Sequence, residues 1–162
     1  MHEIPIEVVS RAEAGDILCS PQGCADVTCL ISIGEPHNDL PRGFENVARR
    51  LRRTFADHVD GEYGPTEDDV RSIIELAESL RSSAGKVLIH CEAGVSRSSA
   101  AALIMYAYWF GAGREREALE RVLAQRPMAR PNRLMVSLAD QLLGRSGRLI
   151  EIVKSYEERG YL

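Results

Sequence analysis

Cys91 and Arg97 stand six residues apart in the stretch HCEAGVSRSS, with Gly94 midway and Ser96 and Ser98 on either side of the arginine. The apolar run VLI precedes the cysteine, and an apolar stretch follows the arginine, as in a buried strand that turns into a helix. A loop at that junction lies beside unpaired backbone N–H groups at the positive end of the helix dipole, a place suited to an anion. Ala93, Gly94, Val95 and Ser96 are small enough to let the backbone curl around an oxyanion, with Glu92 at the loop's start. Arg97 can offer a planar fork to two anionic oxygens. The same field favours a thiolate at Cys91 over the neutral thiol. An activated sulfur beneath an oxyanion cradle is a nucleophile aimed at phosphorus. The phosphate loop of the Walker type is excluded, because its Gly-Lys-Ser/Thr ending has no counterpart here.

The elements that must position this loop are read from periodicity. IPIEVVS and ADVTCLISIGE predict the first two strands. Phe44, Val47, Ala48 and Leu51 recur at helical spacing while RLRRTFA alternates, so a short helix and then a third strand ending near Ala56 are expected. DHVDGEYGP is a loop, and Thr66 with Asp69 resembles a capping box opening a helix that Gly85 ends. KVLIHC is the next strand, followed by a helix from about Arg97 to Phe110 in which Tyr106 and Trp109 are core residues. Three more helices follow, beginning in REREALERVLAQ, PNRLMVSLADQLLG and SGRLIEIVKSYEERG. Strands alternating with helices, and then helices alone, predict one α/β domain over 1–162. The expected architecture is a mostly parallel central sheet flanked by helices, with a helical C-terminal half.

The chain has 162 residues and a net charge of -4. That acidity argues against a general nucleic-acid partner. No apolar run approaches the ~18 residues of a membrane span, and the start lacks the pattern of a signal peptide. The expected setting is cytoplasmic, with no nucleic acid and no membrane as partners. The four cysteines are then reduced, and neither they nor the four histidines show metal-ligand spacing, so no metal and no cofactor is expected.

HCEAGVSRSS resembles the His-Cys-x5-Arg-Ser/Thr signature of the cysteine-dependent protein tyrosine and dual-specificity phosphatases. QRPMARPNRLMVSLADQLL is similar to the Arg-Pro…Pro-Asn…Gln-Leu segment of the small dual-specificity members, and FADHVDGEYGPTEDDV to their strand, acid loop and helix. The chain is most similar to small bacterial tyrosine-phosphatase-like proteins. It departs from the family after Pro131-Asn132, where Arg133 and Leu134 stand and the phenylalanine that follows Pro-Asn-x-Gly in the family is missing.

The resemblance implies a tyrosine-phosphatase-like fold and hydrolysis of phosphomonoesters through a cysteinyl-phosphate. Cys91 would be the nucleophile, and Arg97 with the amides of Glu92, Ala93, Gly94, Val95 and Ser96 would bind the phosphate. Ser98 would assist departure of the sulfur, and His90 would orient the loop through the backbone. The acid matches Asp57, which directly follows the strand-like RTFA. Asp60 is the alternative, although an Asp before Gly61 is also turn chemistry. A phosphopeptide-binding module without turnover would have lost the Cys, the Arg or the acid, and all three are present. The expected partner is a phosphorylated protein or peptide. Glu92 inside the loop disfavours a polyphosphoinositide, and Tyr63 on the acid loop is a candidate wall of the pocket. Arg49, Arg50, Arg52 and Arg53 read as a solvated face, with recruitment of acidic peptides as the alternative. Cys19 and Cys24 are candidates for a disulfide with an oxidised Cys91.

Overall fold

Alternation along β4 (Lys86–Cys91) divides the molecule into two cores, because successive side chains point to opposite faces of a sheet. Val87, Ile89 and Cys91 join the larger core, while Leu88 packs into the smaller one. The computed structural model describes residues 3–37 and 40–162. β4 lies between β1 (Ile6–Ser10) and β2 (Val27–Gly34), and β3 (Arg50–Thr54) forms the far edge. Every ladder among the described residues is parallel. The expected sheet is thus found, and it is wholly rather than mostly parallel. Parallel strands end on the same side, and the register pairs Ser10 with Cys91 and Gly34 with Thr54. The loops that leave those four strands therefore gather at one edge, where ligands of open α/β sheets bind.

The larger core is covered by α3 (Glu67–Ser79), α4 (Arg97–Phe110), α5 (Glu115–Gln125), α6 (Arg133–Leu143) and α7 (Arg148–Arg159). α4 is apolar on nearly every side and is buried on nearly every side, as that pattern requires. Tyr106 and Trp109 are core residues, and the buried indole N–H donates to the Ala77 carbonyl at 2.8 Å. The capping box of α3 forms as expected between Thr66 and Asp69. The end of α4 is fixed by a buried arginine. Arg145 donates to the carbonyls of Ala107 and Gly111 and pairs with the buried Glu115 at 3.1 Å. Burial opposes the charge of Glu115, but the backbone N–H groups at Glu115 and Gly113 and the Arg145 guanidinium outweigh it and hold the carboxyl below its usual range.

Four sequence expectations are corrected. Two helices stand between β1 and β2 where none is expected: α1 (Arg11–Leu18) and α2 (Pro21–Cys24). α1 carries a Ser10–Glu13 capping box, a signal present in the sequence as SRAE. The helical spacing around Phe44 yields only a 3-10 turn, Phe44–Asn46, because the glycine before it has φ of 77° and the chain returns to extended geometry at Val47. α3 ends at Ser79, six residues before Gly85, and β3 ends at Thr54 rather than Ala56.

Candidate active site

The loop between β4 and α4 is held by its carbonyls. Glu92 O accepts from Arg11 N at 3.1 Å, and Val95 O accepts from Arg130 N at 2.8 Å. Ser96 O accepts from Asn132 N and from Ala100 N, both at 3.1 Å. The Arg126 guanidinium reaches the two carbonyls between, Ala93 O at 3.1 Å and Gly94 O at 3.0 Å. All five carbonyls of residues 92–96 are thus bound by groups outside the loop. In a trans peptide the N–H points opposite to the carbonyl, so the amides of residues 93–97 face away from those donors, toward the loop's interior. Gly94 has φ of 70°, and a Cβ there would lie 2.6 Å from both the Arg126 Nη2 and the Val9 carbonyl carbon. Only glycine fits between the loop and its brace.

Cys91 ends β4 at 3% exposure, and its Sγ lies 3.0 Å from Ser98 Oγ in the first turn of α4. Arg97 is nearly as buried. Its Nη1 donates to Phe55 O at 2.8 Å and to Glu35 Oε1 at 3.1 Å. Arg97 Nε is buried and has no hydrogen-bond partner among the described residues, leaving one strong donor in need of an acceptor. His90 points to the opposite face of the sheet. Its Nδ1 is 3.0 Å from Cys91 O and its Nε2 is 2.6 Å from Ser32 Oγ, which accepts from Arg52 at 2.9 Å. The ring is consistent with a tautomer donating from Nδ1, and it links the loop's first carbonyl to the neighbouring strand.

Asp57 follows β3 on a loop whose base is closed by Ala56 N donating to Tyr63 O at 2.7 Å. Ser96 Oγ donates to Asp57 Oδ1 at 2.7 Å, so the structure brings Asp57 against the Cys91 loop. Asp60 is exposed further along the same loop, and among the described residues no hydrogen bond ties it to the Cys91 loop. An open cleft of about 540 Å³ adjoins Asp57, lined by Glu35, Pro36, His37, Ala56, His58 and Tyr63.

Other residues are placed differently from expectation. The Glu92 side chain turns outward to pair with Arg11 at 2.8 Å, so its charge is shared there and only its backbone belongs to the loop. The arginine run is a solvated face in part: Arg49 and Arg50 are exposed, and Arg52 and Arg53 are half-buried. Arg49 donates to Ser79, Arg50 stacks on Phe44, Arg52 donates to Ser32 and Arg53 pairs with Asp69. The candidate disulfide partners are remote. Cys24 ends α2, just before the start of β2, whereas Cys91 ends its own strand, about 20 Å away at ~3.3 Å per residue. Cys19 caps the far end of α1, which starts beside Cys91. Burial pushes the Cys29 thiol up to about 11, in keeping with a core residue.

Of the residues that hold the site, the sequence marks Arg126 and Asn132 only as the Arg-Pro and Pro-Asn of the family-like segment, without a role, and does not mark Glu13. Arg126 is braced by Glu13, whose carboxyl bonds it at 2.9 Å and 3.3 Å. The Arg126 hydrogen bond, with that of the Ser10 backbone, holds Glu13 down to about 2. Glu35 carries no mark in the sequence either. Asn132 caps α6, and nothing local in the sequence marks its contacts with distant loops.

The family described as "Dual specificity phosphatase, catalytic domain" matches residues 48–141. Human dual specificity protein phosphatase 5 is 36% identical over 97 residues, covering 54% of this chain and 24% of that protein. Dual specificity protein phosphatase 1-A of Xenopus laevis is 34% identical over 97 residues, covering 54% of this chain and 26% of that protein. The chain spans about a quarter of the length of the curated relatives it matches. Among solved structures, human DUSP28 superposes with a TM-score of 0.67 at 20% identity, covering 86% of this chain and 91% of that one. DUSP15 superposes with a TM-score of 0.67 at 24% identity, covering 98% and 95%. At those identities the superpositions speak for the fold alone.

Proposed function

Since this chain belongs to the dual specificity phosphatase catalytic-domain family, we propose that it hydrolyses phosphomonoesters on proteins through a cysteinyl-phosphate at Cys91. The observation that carries the reading is the loop with all five carbonyls bound from outside, closed around Cys91 and completed by Arg97. The amides of residues 93–97 and the unpaired Nε of Arg97 would donate to the three equatorial oxygens of a phosphoryl group.

In the first step the Cys91 thiolate attacks phosphorus, the S–P bond forms and the P–O bond to the leaving group breaks. Asp57 gives its proton to the departing oxygen. In the second step Asp57 takes a proton from water, the water oxygen bonds phosphorus and the S–P bond breaks. The Ser98 hydroxyl, 3.0 Å from Sγ, would stabilise the returning thiolate. The negative charge of the phosphoryl group is met by Arg97 and backbone amides, so we propose that no metal ion takes part. The open cleft beside Asp57, rimmed by Tyr63 at 70% exposure, suits a side chain carried on a polypeptide. Chemistry that needs a free thiol favours a reducing compartment, and we infer a cytoplasmic setting on that ground. No described helix is long and apolar enough to cross a membrane.

Cys91→Ser tests the reading. The folded variant should lose phosphotyrosine and nitrophenyl phosphate turnover, and rapid quenching of the wild type should trap phosphate on Cys91. A folded Cys91→Ser protein with wild-type turnover would sink the proposal.

A further inference from the structure

The acid loop, residues 57–62, rises from a closed stem. At its base Ala56 N donates to Tyr63 O at 2.7 Å, and Asn132 Nδ2 donates to Asp57 Oδ1 at 2.8 Å and to His58 O at 3.0 Å. Beyond those contacts Val59, Asp60, Gly61 and Glu62 are all exposed. Gly61 has φ of 86°, and a Cβ there would meet nothing within 4 Å, so the tip is open. Neither Asp60 nor Glu62 has a hydrogen bond or an ion pair among the described residues. Tyr63 follows them, 70% exposed, and lines the cleft beside Asp57.

Charge elsewhere at the mouth is matched. At the other end of the Cys91 loop a hollow of about 270 Å³ is lined in part by Arg11, Arg42 and Glu92. Arg11 pairs with Glu92 at 2.8 Å and Arg42 with Asp16 at 2.7 Å. In the cleft Glu35 shares its carboxylate with Arg97, and no lysine or arginine is among the described residues lining it. The unmatched charge at the mouth is therefore negative and lies on the acid loop. Two features mark a ligand. Arg97 is 5% exposed, and its buried Nε lacks an acceptor, which an anion supplies. The loop presents two free carboxylates and an aromatic face, which together attract a cation.

We propose that the chain selects basic substrates: a phosphorylated residue with a lysine or arginine within two positions of it, whose cation is received by Asp60, Glu62 and the ring of Tyr63. The inference rests on the phosphatase reading above and names the substrate class of that same site. The phosphoryl group seats in the Cys91 loop against Arg97. An extended peptide rises ~3.3 Å per residue, so a neighbour one or two positions on lies over the cleft. Its apolar stem lies along Tyr63 and its charged head reaches the carboxylates. An acidic neighbour meets two like charges there.

The experiment compares phosphotyrosine peptides identical but for Lys, Ala or Glu beside the phosphotyrosine. By kcat/KM the Lys peptide should exceed the Glu peptide about 3- to 30-fold, the scale of one or two surface ion pairs. The ratio should approach one near 1 M salt, where screening acts within ~3 Å. Asp60→Lys and Glu62→Lys should each lower the ratio at least threefold. Because the readout is a ratio, a general loss of activity cancels. Glu78→Lys makes the same change of net charge in the last turn of α3. Its neighbour Ser79 accepts from Arg49 at the start of β3, at the sheet edge opposite the Cys91 loop, so the ratio should stay within about twofold of wild type. Should a lysine variant not fold, Glu62→Gln applies the same test with half the charge change. Equal turnover of the three peptides, a preference for the Glu peptide, or an equal shift from Glu78→Lys would overturn the proposal. Turnover of nitrophenyl phosphate without peptide selectivity overturns this proposal alone, whereas no turnover of any substrate overturns the phosphatase reading itself.

Discussion

Arg126→Met should damage catalysis more than it damages the fold. The guanidinium makes two hydrogen bonds to loop carbonyls, at 3.0 Å and 3.1 Å, and its side chain is 14% exposed. Hydrogen bonds to charged groups contribute roughly 1.5–3 kcal/mol each, but carbonyls freed near the surface regain water. Glu13, at 49% exposure, is solvated once left alone, and pairs at the surface contribute about 0–1 kcal/mol. A stability loss of about 1–3 kcal/mol follows, or roughly 2–10 °C in Tm for a chain of this size. The two freed peptide units are those that carry the N–H groups of Gly94 and Val95. Removing one donor to an oxyanion costs about 100- to 1,000-fold in kcat. Two donors loosened but not removed should cost about 10- to 100-fold in kcat/KM, and vanadate should inhibit more weakly. Arg126→Lys is the geometric control. It keeps a charge near Glu13, but a single ammonium does not reproduce the planar fork, so it should lie between wild type and Met. The readouts are kcat/KM on a phosphotyrosine peptide, the vanadate inhibition constant and Tm. If Arg126→Met lowers Tm yet leaves kcat/KM within about twofold of wild type, the brace is structural only and the reasoning fails. The Glu13 partner adds a pH signature. Its carboxyl titrates at about 2 in the fold against an ordinary 4.5. Its stabilisation is therefore complete above the ordinary value and is lost as pH falls toward 2. The stability gap between wild type and Glu13→Gln should be flat near neutrality and close over that acidic window.

Asp57→Asn should slow phosphotyrosine turnover by ~100- to 10,000-fold, with a smaller loss for good leaving groups, while Asp60→Asn should change little. A large leaving-group-dependent loss in Asp60→Asn, with Asp57→Asn near wild type, would move the acid to Asp60. Arg145→Met should destabilise by up to about 3–5 kcal/mol, because it leaves the buried Glu115 charge with only Arg148 at 3.6 Å as an ionic partner. Adding Glu115→Gln should recover part of that in a denaturant titration, and absence of any recovery would show that the lost bonds to the α4 carbonyls dominate.

What the sequence revealed and what it hid divide along a physical line. The strand, the loop and the helix around Cys91 are contiguous, and each is set by local rules: a short apolar run, small residues, then a longer apolar run. The reading of α4 from Arg97 to Phe110 matches the structure because its determinants lie within it. α1 is not legible in the sequence despite the SRAE cap, since eight residues around Gly15 give little periodicity to set beside two strong strands. The 3-10 turn at Phe44 looked helical because spacing alone does not report the left-handed glycine before it.

The bracing residues were hidden for a different reason. Arg126, Glu13, Glu35 and Asn132 act across the chain. Arg126 lies 113 residues from Glu13, and Asn132 lies 75 from Asp57. Their partners are backbone carbonyls as often as side chains, so residue identities at the far end carry no trace of the contact. The arginine run shows the converse limit. A cluster of like charges reads locally as a surface feature, and Arg49 and Arg50 are exposed, yet each guanidinium also has its own partner. Arg53 ends on the buried Asp69, so it serves the capping box that opens α3 beyond the acid loop. An oxyanion loop can hold its N–H groups inward only if something outside occupies its carbonyls. That demand fixes how many outside donors must exist, but the course of the chain decides which residues supply them. The chemistry of such a site is therefore local in sequence, and its rigidity is not.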